Sequence, residues 1–185
     1  PAQEDGSSVE QAMNHFMTPP HFPVTLEQLP GEIRFHDISD ADFAIGGYHV
    51  RARLIPHVGN TLGFRVEWNG ISVAYLSDHQ QPMDGSFSMS QGARDLVEDA
   101  DLVIHDAQYT PSEFELKRTW GHCTVDYAVW VAGSARAKRL ALFHHDPTRH
   151  DDDVDELLVC SRRAGAKFGL EVMAAREGLS VELTK

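Results

Sequence analysis

The sequence is poor in cysteine, poor in cations and free of long apolar runs. Cys123 and Cys160 are the two cysteines in 185 residues, too few for a disulfide framework or a thiolate zinc site. No apolar stretch approaches the roughly 20 residues of a membrane span. The first residues have neither the basic start nor the apolar run of a signal peptide. These absences predict a cytoplasmic protein that does not enter a membrane.

Basic residues are outnumbered, with 16 Lys and Arg against 28 Asp and Glu and a formal net charge of −12. Such a field repels a polyanion unless metals or a basic groove reverse it, so nucleic acid is not an expected partner. The 42% hydrophobic content is typical of a soluble globular protein. We expect one domain over residues 1–185, in which residues 1–30 form a surface or connecting segment.

Alternating apolar and polar residues predict a run of strands after residue 32. Gly46-Gly47 and Asn69-Gly70 separate consecutive runs, and an Asn-Gly pair is a strong signal for a two-residue hairpin turn. This part of the chain is therefore predicted to be an antiparallel meander. Its strands are predicted at residues 33–36, 43–45, 50–55, 62–68 and 72–76.

After Asp78 the pattern changes to helices that alternate with strands, which predicts an α/β sheet covered by helices on at least one face. Pro19-Pro20 and Pro23 end an earlier helix. Helices are predicted at residues 8–17, 90–99, 124–132 and 151–166, and strands at residues 102–104, 140–143, 170–173 and 179–183.

Histidines and aspartates follow the ends of several predicted strands, where loops carry functional groups over a rigid sheet. Imidazole is the commonest metal ligand, and a carboxylate can bridge two cations. Four strand ends could therefore supply one metal site. The residues concerned are His57, Asp78 with His79, His105 with Asp106, and His144 with His145.

Five segments, taken in order, carry a resemblance to a known family. They are HVGNTLGFR from residue 57, VAYLSDH from 73, DLVIHDAQY from 101, GHCT from 121 and LALFHHDP from 140. Together they resemble the metallo-β-lactamase superfamily, especially the branch of ribonuclease Z and the small cyclic-phosphate phosphodiesterases. The resemblance implies an α/β fold of the αββα sandwich type, incomplete at its N-terminus.

The resemblance also implies roles for five residues. His57 and His144 correspond to ligands of one metal each, and Asp78 to the aspartate that bridges the two. His122 corresponds to a histidine beside the scissile phosphate, and Asp106 to the acidic residue that orients it. The family's first motif, His-x-His-x-Asp-His, which supplies most of the ligands, does not occur in the 185 residues. We expect it upstream of Pro1.

The implied activity is metal-dependent hydrolysis of a small, cyclic phosphodiester with two divalent cations, zinc first, manganese or iron as alternatives. A lactone or thioester hydrolase and an inactive binding module remain open alternatives. Because so many ligands are missing, the chain alone is expected to bind metal weakly and to be inactive. An exposed sheet edge and a half-built core favour a homo-oligomer or association with the missing N-terminal segment.

Several neighbouring residues remain open from the sequence alone. His144 and His145 compete for one ligand position, and Cys123 is either a thiolate at a helix start or a small packing residue. His79 is expected behind the ligands or at the surface, and His105 is expected to be structural. Tyr109, Phe114 and Trp120 form either a wall of the substrate site or part of the core.

Overall fold

The computed structural model describes residues 6–185, which belong to two compact units, Pro1–Ser39 and Asp40–Lys185. In the first unit, helix α1 spans Val9–Phe16 and a short 3-10 helix spans Leu26–Gln28. Ser8 caps α1, since its hydroxyl accepts from the Gln11 backbone while the Gln11 side chain accepts from Ser8. The predicted helix at residues 8–17 is thereby confirmed.

The second unit is one seven-stranded sheet with four helices. Its strands lie in chain order, antiparallel from β1 to β4 and parallel from β4 to β7. This mixed α/β architecture confirms the predicted fold class. The strands are β1 Ala41–Ile45, β2 Tyr48–Ile55, β3 Thr61–Trp68, β4 Ile71–Leu76, β5 Leu102–Asp106, β6 Arg139–Phe143 and β7 Glu171–Ala174, and the helices are α2 Gln91–Val97, α3 Pro111–Lys117, α4 Val125–Ser134 and α5 Asp151–Ala166.

Two predicted strands are wrong, and one helix was not assigned. Residues 33–36 and 179–183 have no regular structure, because alternation alone does not provide a partner strand. Near the second segment, Arg139 donates to the Glu182 carbonyl through its side chain, and no ladder forms. Helix α3 has a detectable start, since Thr110, Pro111 and Glu113 form a capping box with proline in the first turn.

One face of the sheet carries the helices. Gly63 on β3 shows how closely α2 packs there, because a Cβ at this position would lie 2.6 Å from Leu96 Cδ1. The mostly buried Arg65 side chain donates to the carbonyls of Leu96 and Glu98 at the end of α2, where cations are favourable. Helices α4 and α5 contribute to the same core. No described helix is long and apolar enough to cross a membrane.

The opposite face of the sheet is apolar and partly exposed. Residues that are paired across neighbouring strands lie on the same face of the sheet. By this pairing, Ile45, Tyr48 and Trp68 lie on the face opposite to Arg65. Tyr75 and Leu54 belong to the same face. Together these five side chains form what we call the open face, with exposures of 62% for Ile45, 45% for Tyr48, 41% for Leu54, 50% for Trp68 and 39% for Tyr75.

We predict that the chain self-associates through the open face, because five large apolar side chains on it are exposed to solvent. The double variant Trp68→Lys, Tyr75→Lys should shift sedimentation velocity toward the monomer and reduce binding of an apolar fluorescent dye. A matched control replaces Leu116 and Val159, which are exposed on α3 and α5, by lysine. A wild-type chain that is monomeric and does not bind the dye would contradict the prediction.

Candidate metal centre

Four strands deliver their following residues to the same edge of the sheet. Strands β4, β5 and β6 are parallel neighbours, so the residues after them emerge side by side. Strand β2 is antiparallel to β3, which is antiparallel to β4, and β2 therefore points to that edge as well. This topology brings His57, Asp78 and His144 together, and Asp106, the last residue of β5, lies with them.

Asp78 lies between two imidazoles. Its Oδ1 is 3.9 Å from His57 Nε2 and 3.9 Å from His144 Nε2, separations that leave room for a cation between nitrogen and oxygen. His57 Nδ1 contacts the Val58 carbonyl at 2.7 Å. A carbonyl only accepts, so this contact places the proton on Nδ1 and leaves Nε2 as a ligand atom. His57, Asp78 and His122 also offer ligand atoms within 4.8 Å of one another.

His144 and His145 are separated by the backbone. His144 has a left-handed φ of 56°, a strained conformation for a residue other than glycine. Its ring stacks on His122 with centroids 4.8 Å apart. His145 instead hydrogen-bonds the Ala175 backbone and lines a groove beside α5. The geometry therefore favours His144 over His145 as the candidate ligand.

His122 is paired with a buried carboxylate. Its Nδ1 lies 2.7 Å from Oδ2 of Asp106, which has no exposed surface. Burial of His122 opposes its protonation, but the hydrogen bond and the charge of Asp106, together with the charge of Asp78, outweigh burial and raise the pKa of His122. A proton on Nδ1 leaves Nε2 as the atom that exchanges a second proton. The pair can therefore act as an acid or a base.

The loop before α4 places His122 against His57. Gly121 has φ of 95°, and a Cβ there would lie 2.5 Å from His57 Nε2, so a side chain would displace the imidazole. Its backbone N–H donates to Gln80 Oε1 at 2.8 Å, and Gln81 Oε1 accepts from Thr124. The two glutamines are not among the site residues predicted from the sequence, although polar residues directly after Asp78 are a usable signal.

The open alternatives around the site are resolved by burial. Cys123 is fully buried, and burial raises the pKa of its thiol well above the ordinary value, which argues against a thiolate nucleophile. Tyr109 and Phe114 are also buried, with 1% and 3% of their surfaces exposed, whereas Trp120 is 61% exposed. Tyr109 and Phe114 thus pack in the core, and Trp120 is the aromatic side chain of the three available to a substrate.

Asp146 forms a salt bridge with Lys117 next to the site. Its Oδ2 accepts from Lys117 Nζ at 2.9 Å, and its Oδ1 accepts from the Thr148 hydroxyl and backbone. Lys117 Nζ also lies 4.8 Å from the centre of the Tyr109 ring. The Thr148 hydrogen bonds, followed by Lys117, hold the pKa of Asp146 far below its usual value.

We predict that Asp146→Asn lowers the free energy of unfolding by about 1–2 kcal/mol at pH 7, because a buried charge-assisted pair is lost. The folded-state pKa is depressed, so this stabilisation is present above the unfolded pKa of about 4 and is lost as pH falls below it. Urea unfolding at pH 7 and pH 3 should show a smaller difference at pH 3. The exposed Asp152→Asn serves as control, and a difference independent of pH would contradict the prediction.

Comparison with known proteins gives three findings. The family model described as Beta-lactamase superfamily domain matches residues 7–145. Ribonuclease Z of Brevibacillus brevis is 37% identical over 71 residues, which are 38% of this chain and 22% of the relative. Ribonuclease Z of Halobacterium salinarum is 40% identical over 88 residues, 47% of this chain and 27% of the relative. These matches thus span about a quarter of the relatives' length.

Solved structures show the same fold. The metallo-beta-lactamase fold protein YhfI from Bacillus subtilis superposes with a TM-score of 0.63 at 17% identity, over 91% of this chain and 59% of YhfI. Zinc-bound PqqB from Methylobacterium extorquens gives 0.54 at 16% identity, over 78% of this chain and 54% of PqqB. Since the family model matches most of the chain, the protein belongs to the β-lactamase superfamily.

Proposed function

We propose that the protein is a metal-dependent phosphodiesterase that acts on a small, cyclic phosphodiester with two divalent cations. The observation that carries this proposal is the Asp78 carboxylate between two imidazoles, next to the His122–Asp106 pair. Displacement at phosphorus needs charge neutralisation and a proton for the leaving oxygen. The site contains candidates for both tasks.

The donor set fits divalent transition metals. Imidazole nitrogen from His57 and His144 and carboxylate oxygen from Asp78 suit zinc, and manganese and iron accept the same donors. Bound there, such cations would lower the pKa of water and neutralise charge on phosphoryl oxygens. Three donors are fewer than two tight sites require. We therefore expect further ligands from residues other than these in the intact protein.

His122 supplies acid catalysis in this proposal. Its proton goes to the leaving alkoxide, and Asp106 keeps the ring oriented and stabilises the protonated form. The raised pKa of His122 follows from that carboxylate and increases the fraction of the acid form near neutral pH. Asp106 acts through His122 and is a positioning residue.

RNA is the second candidate substrate, because the sequence relatives are named as ribonucleases. They weaken the expectation that nucleic acid is not a partner. The formal charge of −12 favours a small substrate, since a long polyanion is repelled. A lactone or thioester hydrolase would use the same metal ligands, and an inactive module would use none. Comparing a nucleoside 2′,3′-cyclic phosphate, an RNA oligonucleotide and a lactone separates these alternatives.

We predict that the intact protein hydrolyses bis(p-nitrophenyl) phosphate with added Mn²⁺ or Zn²⁺, and that Asp78→Asn lowers kcat at least about 100-fold. The amide keeps the shape of the side chain but loses the charge that holds the cations. Steady-state kinetics and bound-metal analysis measure both effects. The matched control is Asp152→Asn at an exposed position on α5, which should leave both unchanged. Turnover by Asp78→Asn at the control's rate would exclude a bridging role.

We predict that His122→Ala slows hydrolysis of a dialkyl or cyclic alkyl phosphodiester by about 100-fold or more. Hydrolysis of bis(p-nitrophenyl) phosphate should be slowed much less, because p-nitrophenolate leaves without a proton. Asp106→Asn should show the same selectivity more weakly.

The control for this experiment is His49→Ala, at an exposed position on β2, which should not affect either substrate. Equal losses for both leaving groups would show that His122 does not donate a proton to the leaving oxygen and would favour a ligand role instead.

A further inference from the structure

Two histidines lie in the core behind the candidate metal centre. His79 and His105 have no exposed surface, and His79 Nδ1 lies 2.8 Å from His105 Nε2. His105 Nδ1 lies 2.7 Å from the Asp106 backbone carbonyl. A carbonyl only accepts, so His105 Nδ1 carries the proton and its Nε2 accepts from His79 Nδ1. These bonds fix His105 as a neutral imidazole with its proton on Nδ1, and burial, which lowers the pKa of His79, favours the neutral form of that ring as well.

Burying these two rings costs free energy of folding. Burial of a polar ring disfavours folding unless every polar atom is paired. His79 Nε2 is buried and has no hydrogen-bond partner among the described residues, and the ring packs 5.7 Å from that of Tyr127. Apolar side chains of similar size would avoid both costs. Stability alone therefore does not explain the pair.

The pair reaches Asp106 in two ways, because the His79 ring bonds the His105 ring, which bonds the Asp106 backbone carbonyl, and the His79 backbone N–H bonds the Asp106 carboxylate. The Asp106 backbone carbonyl accepts from His105 and from the Cys123 thiol, at 3.0 Å from Sγ. Its carboxylate accepts from the backbone N–H groups of His79 and Gln108 and from His122. The carboxylate cannot rotate without losing at least one of these bonds.

We propose that His79, His105 and Cys123 form a buried positioning frame that fixes the Asp106 carboxylate, and through it the His122 ring, at the active site. The proposal rests on the proposed function. The frame acts from behind the site, since none of its three side chains is exposed to a substrate. It also anchors the chain directly after Asp78, because His79 is bonded to a residue of the neighbouring strand. These are positioning residues, and His122 remains the group that exchanges the proton.

The test compares His79→Leu with His79→Asn in the intact, metal-loaded protein. Asparagine retains an N–H close to the position of Nδ1, and leucine removes it. We expect His79→Leu to lower kcat for a cyclic alkyl phosphodiester about 10–100-fold, in the range found for supporting hydrogen bonds behind a metal site, with KM little changed. His79→Asn should recover most of the loss. The leucine variant leaves His105 Nε2 without its donor and should melt at a lower temperature than the wild type, so kcat is compared at a temperature where all variants are fully folded.

A spectroscopic measurement on metal-free protein tests the frame without turnover. The Nδ1 proton of His122, hydrogen-bonded to Asp106, should give a downfield ¹H resonance in the wild type and in His79→Asn. In His79→Leu it should broaden or move upfield, because Asp106 is then less constrained. An unchanged resonance and an unchanged kcat in His79→Leu would overturn the proposal.

Cys123 provides a second, independent pair of variants if His79→Leu does not fold. Cys123→Ser keeps a donor to the Asp106 carbonyl and should preserve the resonance, whereas Cys123→Ala should weaken it. Identical behaviour of the two would overturn the proposal. If the wild type hydrolyses no phosphodiester but the resonance responds as described, the proposed function fails and the frame stands.

Discussion

The buried carboxylate of Asp106 is the constraint on which the site depends. A charge with no exposed surface is stable only when donors surround it, and here the donors come from different parts of the chain. His79 follows β4, Gln108 follows β5, and His122 precedes α4. The hydrogen bonds to this one carboxylate therefore connect the loop that carries Asp78 with the loop that carries His122. Gly121 in the second loop lies against the His57 ring.

The change from antiparallel to parallel pairing explains why these loops meet. Parallel neighbours place their following loops at one edge, so β4, β5 and β6 supply Asp78, the Asp106 loop and His144 in succession. An entirely antiparallel sheet would send every second loop to the far edge. Helices α2 and α4 make the parallel arrangement possible, because each connects one such strand to the next across the core face.

Strands with paired neighbours were predictable from the sequence to within two residues, as were the hairpin turns. Residues 33–36 and 179–183 show the same alternation but do not pair, and pairing is a tertiary property that local pattern does not contain. The positions of His57, Asp78 and His144 directly after strands were equally predictable from the sequence. The roles of His79 and Gln80 were not, because only the packed structure shows which polar side chains point behind the site.

Part of the open face lies at the edge of the sheet that carries the candidate ligands. Leu54 and Tyr75 are exposed near the ends of β2 and β4, three residues before His57 and three residues before Asp78, respectively. Any segment that adds ligands to this site must approach that edge, and the adjacent apolar surface offers it about 25 cal/mol for each Å² buried. Covering the face would thus provide the free energy that holds additional ligands in place. Packing and metal binding would then form one cooperative unit, as expected where ligands are brought together only by folding.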